Sequence, residues 1–127
     1  MVRNTYGKAE RLKSRKSIDQ LFKEGQRFNM GMIRVFYKPV QQADIRAGVG
    51  VSARLFKNAV DRNRIKRQLR EAYRVQKQIL SSLDTATTGL DLFFIYTAKD
   101  FTDFKELFQA VEKALLKIKS NLGKLPV

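Results

Sequence analysis

The stretch Lys57-Asn58-Ala59-Val60-Asp61-Arg62-Asn63-Arg64-Ile65-Lys66-Arg67-Gln68-Leu69-Arg70-Glu71-Ala72-Tyr73-Arg74 decides how this chain is read. Its apolar residues recur at helical spacing, and a helix advances about 100° per residue. With Ile65 at zero, Leu69, Ala72, Gln76, Ile79 and Leu80 fall within about 60° of it. Lys66, Lys77, Arg70, Asn63, Arg74 and Arg67 cluster between about 100° and 200°. One face is therefore core. Its neighbour carries a row of cations and one amide, in register over roughly 17 Å. Asp61 and Glu71 are the acidic residues inside the stretch. Mutual neutralisation therefore does not account for the row, because unpaired like charges at this spacing destabilise an isolated helix. A solvated face is the ordinary reading of charged helical positions; phosphates of a folded RNA backbone explain this one better. Arginine dominates, and its planar fork grips a phosphate through two nitrogens and stacks on a base, which lysine does not. Asn63 suits an RNA contact, a hydrated Mg²⁺ at the phosphates, or a structural role.

Working outward, the long helix spans about Asn58 to Ser81. Upstream, Ser14 to Glu24 fits a short helix. Ser14 is its N-cap, Ile18, Leu21 and Phe22 share one face, and Gly25 supplies a left-handed stop. Phe28 to Val40 is rich in β-formers and reads as one strand ending at Pro39. Gln41 to Asp44 is a polar turn. Ile45 to Ser52 reads as a second strand, antiparallel to the first, whose Gly48 and Gly50 mark close approach of another backbone or a ligand. Downstream, Thr85 to Gly89 is a loop, and the apolar run Leu90–Tyr96 is a buried central strand. A last helix starts at Asp103, with Glu106 at capping-box spacing. Phe104, Leu107, Phe108, Val111, Leu115, Ile118 and Leu122 form its apolar stripe, and Gly123 and Pro126 close it. The order helix, strand, strand, helix, strand, helix gives an α/β sandwich, one small sheet with helices packed on it.

The totals agree. The 127 residues suffice for a single domain, with a basic arm at about 1–13. Lys and Arg total 26 against 12 Asp and Glu, a formal net charge of +14. That is the footprint of a nucleic-acid binder, since a polyanion relieves the self-repulsion and releases counterions. There is no Cys and no His. Disulfides, thiol chemistry, most zinc sites and the commonest general base near neutral pH are thereby excluded. Any metal would have oxygen ligands, with Mg²⁺ near phosphates the natural case. No signal peptide or membrane-length run is evident, so cytoplasm is the expected location.

The pattern Lys-Asn-Ala-Val-x-Arg-Asn-Arg-x-Lys-Arg-x-x-Arg-Glu at 57–71 closely resembles the signature of the bacterial ribonuclease P protein family. The likeness extends over the chain. Arg11-Leu12 with the Ile18–Leu21–Phe22–Gly25 helix resembles the family's first helix. Arg46-Ala47-Gly48-Val49-Gly50-Val51-Ser52 resembles its strand entering the signature, and Asp91-Leu92-Phe93-Phe94-Ile95 its last strand.

The resemblance implies a two-layer α+β sandwich of the ribosomal protein S5 domain 2-like kind. Its small mixed sheet has a left-handed βαβ crossover through the long helix, against the usual hand. It implies the accessory subunit of an endoribonuclease whose RNA removes the 5′ leader of precursor tRNA with Mg²⁺. The protein alone is then inactive and supplies no catalytic residue and no metal ligand. Partners would be the ribonuclease P RNA and the precursor tRNA leader, with no membrane and no DNA. Carried over by position, Arg62, Asn63, Arg64, Lys66, Arg67, Arg70 and Arg74 would face the catalytic RNA. Phe22, Phe36, Ile18, Arg54 and Arg11 would line the cleft for single-stranded leader, aromatic rings there stacking on bases. Plain core packing is the competing reading of Phe22 and Phe36. Ile18, Ala53-Arg54 and Tyr96-Thr97 depart from the family's usual Phe, Lys-Lys and small residue-Arg.

Four other classes compete. A protein-only nuclease needs clustered carboxylates or an acid–base set, whereas the acids here are scattered. A structural RNA-binding module, such as a ribosomal protein, fits charge and size equally well and lacks only the signature. A helix-turn-helix regulator needs a partner helix one short turn away. A peripheral membrane protein needs an exposed apolar face, which here serves the core.

Overall fold

The computed structural model describes residues 11–12, 14–40, 45–82 and 89–123. The Gln41–Asp44 turn, most of the loop before Gly89, Pro126 and all of the basic arm except residues 11–12 lie outside the described residues. Helix α1 is Arg15–Glu24, strands β1, β2 and β3 are Gln26–Met30, Ile33–Val40 and Ile45–Val51, and helix α2 is Ala59–Gln76. A 3-10 helix at Lys77–Ser82 continues α2, and strand β4, Gly89–Tyr96, and helix α3, Phe104–Gly123, follow.

The four strands form one mixed sheet in the order β1-β2-β4-β3. β1 and β2 are antiparallel, β2 and β4 antiparallel, and β3 and β4 parallel. The parallel pair is joined through α2, the crossover connection that the resemblance implies. β3 does run opposite to β2, but β4 lies between them. That central position explains why β4 is apolar almost without interruption: it is covered on both faces.

The expected single strand from Phe28 to Val40 is instead a hairpin. Gly31 takes φ 59°, no other residue among the described ones has positive φ, and Met30 pairs with Ile33 across the turn. Positive φ at the first central position only is the pattern of a type II′ turn, which glycine adopts without steric cost. Pro39 does not end β2, which continues to Val40. It sits beyond the last β1 partner, Gln26 opposite Tyr37, where its missing N–H costs no ladder bond on that edge.

Strand alternation sorts side chains onto two faces. Ile33, Val35 and Tyr37 of β2, with Leu90, Leu92, Phe94 and Tyr96 of β4, join Ile65, Leu69, Ala72 and Tyr73 of α2 and Leu107, Val111, Ala114, Leu115 and Ile118 of α3 in the main core. Gln76 is buried at the helix interface and satisfied, its side-chain amide donating to Ala72 O and Phe108 O. Phe104, expected in the α3 stripe, is exposed. The opposite face carries a smaller cluster of Leu12, Leu21 and Phe36 with Ile18, Phe22, Phe93 and Ile95. Helix α1 covers part of this face.

Ser14 caps α1 by accepting from Ser17 N, and Asn58 caps α2 by accepting from Val60 N. Gly25 does not take the expected left-handed conformation; its φ is −75° and the chain passes directly into β1. Glycine is needed there for space, because a Cβ would lie 2.5 Å from Leu21 O.

Candidate nucleic-acid interface

Helix α2 carries the cationic row. Its buried side is Ile65, Leu69, Ala72, Tyr73 and Gln76, close to the expected arc. Asn63, Arg64, Arg67 and Arg70 are exposed, and Lys66 and Arg74 half-buried. The structure thus brings together six of the seven positions assigned to the catalytic RNA on the outward side of one helix. Among the described residues, Arg64, Lys66, Arg67 and Arg70 make no ion pair. Arg74 does: its Nε donates to Glu71 Oε2 at 3.1 Å. That hydrogen bond holds the Glu71 carboxyl below the usual carboxylate range and raises the Arg74 guanidinium.

Arg62 is different. It lies about 60° from Ile65 on the helical wheel, at the border of the buried arc. From there Nη1 donates to Phe56 O and Lys57 O, each at 2.8 Å. Its side chain thus secures the segment that enters α2. Arg64 borders the other side of the cationic arc, its guanidinium 4.9 Å from the centre of the Phe101 ring. Phe101 is 43% exposed and packs against Phe56 at 5.3 Å. A cation over an aromatic face is held electrostatically. Sequence reasoning passed over Phe101, which belongs to the β4–α3 connection and has no local link to α2.

The assigned leader-cleft residues divide. Phe22 and Phe36 meet at 4.7 Å between ring centres, and Phe22 meets Phe93 edge-on at 5.2 Å. Phe36 is 5% exposed and lies in the smaller cluster, whereas Phe22, Ile18 and Phe93 are half-buried beside it. Phe22 and Phe93 are therefore the rings that reach solvent, and Phe36 supports them. Arg54 is exposed, its backbone N–H donating to Ser52 Oγ. Arg11 is exposed and forms a parallel bridge to Ala47 of β3, while Leu12 N donates to Ala47 O at 2.9 Å. This part of the basic arm thus lies along the sheet, and Leu12 is buried in it.

Phe93, which shares this face with Phe22, was also passed over. The glycine signal pointed to it: a Cβ on Gly48 would lie 2.7 Å from the Phe93 ring and 3.0 Å from Leu12 O. The close approach expected at these glycines is made by that ring and that carbonyl.

The family model described as Ribonuclease P matches residues 6–119. The chain belongs to the ribonuclease P protein family. Membership carries RNA association and precursor-tRNA processing within the ribonuclease P complex. The chain is 33% identical over 124 residues to the ribonuclease P protein component of Porphyromonas gingivalis, covering 93% of this chain and 90% of that one. Its fold is similar to the ribonuclease P protein of Thermotoga maritima, with TM-score 0.70, 25% identity, and coverage of 85% and 96%. A structure of the Staphylococcus aureus protein is similar at TM-score 0.63 and 28% identity, covering 87% of this chain and 95% of that one.

Among the described residues no group of three or more carboxylates could gather a metal. No helix among the described residues is long and apolar enough to cross a membrane.

Proposed function

We propose that this chain is the RNA-binding subunit of a ribonuclease P ribonucleoprotein. It binds the catalytic RNA through α2 and the 5′ leader of precursor tRNA on the α1-covered sheet face, assisting Mg²⁺-dependent endonucleolytic removal of the leader. The RNA carries the chemistry and holds the Mg²⁺ at its phosphates. The protein alone does not cleave, and it works in the cytoplasm.

The observation that carries this reading is the set Arg64, Lys66, Arg67 and Arg70 on α2, without an ion-pair partner among the described residues. Each cation seated against a phosphate releases condensed counterions, a gain that a solvated face does not provide. Asn63 and Arg74 extend the surface, and Arg62 orders the segment from which it starts. On the other face, Phe22 offers a ring to an unstacked base, with Ile18, Phe36, Arg54 and Arg11 around it. Stacking tolerates any base, which suits leaders of varied sequence.

The test is cleavage of a leader-bearing precursor tRNA by a bacterial ribonuclease P RNA at low Mg²⁺, with and without the protein. Stimulation by the pair, with no cleavage by protein alone, is expected. Tight RNA binding without stimulation would favour a structural RNA-binding module.

A further inference from the structure

The sheet face that holds Phe22 continues past the aromatic cluster to the β1–β2 hairpin. Strand register lines up Gly48, Phe93, Phe36 and Arg27 across β3, β4, β2 and β1, and beside them Gly50, Ile95, Arg34 and Asn29. Each row crosses three strand spacings, about 14 Å. It begins in glycines, passes aromatic or aliphatic side chains, and ends on the hairpin with an arginine and, in the second row, an asparagine beyond it. Arg27 and Arg34 are diagonal neighbours on the same face of the hairpin, with Cα atoms about 7–8 Å apart.

Two features separate this pair from an ordinary charged surface. The first is orientation: Arg34 Nε donates to Asn29 Oδ1 at 3.1 Å. This leaves its terminal nitrogens without a protein partner among the described residues. The second is charge. The carboxylates paired on this face hold other cations, Glu24 with Lys38 and Asp91 with Arg46. Arg27 and Arg34 make no ion pair among the described residues, although they flank a depression of about 320 Å³ lined by Arg27, Phe28, Asn29 and Arg34.

We infer that Arg27 and Arg34 form a two-phosphate site for single-stranded RNA at the hairpin end of this face. The site rests on the proposed function for its biological ligand, since a strand whose base stacks on Phe22 or Phe93 would direct its backbone across β2 toward this pair. Arginine supplies the donors that a phosphate diester accepts, and the open face admits a flexible strand.

The test uses the whole protein with a short labelled single-stranded RNA and an RNA hairpin duplex of equal charge. Binding is measured over a series of salt concentrations for wild type, R27Q/R34Q and R27K/R34K. For the single strand, the logarithmic salt slope should fall by about 1.4 units in R27Q/R34Q, two phosphates at about 0.7 each. R27K/R34K should keep most of the slope, and the duplex should lose less. An unchanged single-strand slope in R27Q/R34Q of wild-type melting temperature would overturn the site. An equal loss on the duplex would overturn its preference for single strands. Affinity for the catalytic RNA, measured separately, should be unchanged in R27Q/R34Q. The proposed function fails independently: a wild-type protein that does not stimulate leader removal, yet shows the slope change, keeps this site and loses that role.

Discussion

Arg46 and Asp91 face each other in register across the parallel β3–β4 pair, Nε to Oδ1 and Nη2 to Oδ2, each at 3.0 Å. Asp91 is 3% exposed, in the strand covered on both faces. The two parallel bonds satisfy a buried carboxylate and fix the register of strands that are far apart in sequence. Removing one partner leaves a charge buried without compensation. Arg46→Ala, which strands the buried Asp91 carboxylate, should therefore destabilise the fold by about 3 kcal/mol, read from denaturant unfolding. Asp91→Leu combined with Arg46→Met should recover much of the loss. A single variant as stable as wild type would show that the pair fixes nothing.

Arg62 and Arg67 are five positions apart in one basic run but perform separate tasks. Arg62→Ala removes the donor that its Nη1 supplies to the part-buried Phe56 O and to the exposed Lys57 O. It should cost about 1–3 kcal/mol of stability, seen as a lower melting temperature. Arg67→Ala removes an exposed cation, so stability should stay within about 0.5 kcal/mol. Its catalytic-RNA affinity should fall, with a salt slope smaller by about one unit. The reverse pattern, stability lost at Arg67 and not at Arg62, would refute the division.

Phe101 sets where Arg64 points. The exposed ring is backed by Phe56 and lies under the guanidinium. Phe101→Leu keeps apolar cover for Phe56 and removes the π face, a contact worth about 0.5–1 kcal/mol at an exposed site. Catalytic-RNA affinity should weaken about threefold with little change in melting temperature, and Phe101→Tyr should retain affinity. In an Arg64→Ala background the Phe101→Leu effect should vanish. Additive effects of the two substitutions would show that the ring acts by another route.

Much of this arrangement was legible because it is local. The α2 core arc and cationic arc follow from helical geometry, but Arg62, assigned with the RNA-facing set, turns inward to Phe56 O and Lys57 O, a tertiary contact that the motif does not show. The hairpin was hidden because Met30-Gly31-Met32 lacks the Asn-Gly or Asp-Gly signature; Gly31 alone carried the turn. At Gly25 the residue type was informative but the reason was not conformational, since space beside Leu21 O requires it. The glycines of β3 announced a close neighbour without naming it, because Phe93 reaches them only through strand pairing. Long-range pairings such as Arg64 with Phe101, or Leu12 against β3, leave no mark on local sequence.

Phe22 and Phe36 differ in burial, and that separates core from site. Phe36 is enclosed by Phe22 and the sheet. Phe36→Ala should cost about 3–5 kcal/mol of stability and lower binding of every substrate through loss of folded protein. Phe22 is half-buried and keeps part of its ring in solvent. Phe22→Ala therefore loses less packing, and it also loses a stacking surface worth about 1–3 kcal/mol per base. Substrate affinity of the assembled holoenzyme should drop for leader-bearing precursor and remain near wild type for mature tRNA. Leucine at position 22 separates the causes, because it restores apolar cover without a π face: stability should return while leader affinity does not. Equal losses on precursor and mature tRNA in a well-folded Phe22→Leu protein would return Phe22 to the core and move the leader path elsewhere on the sheet.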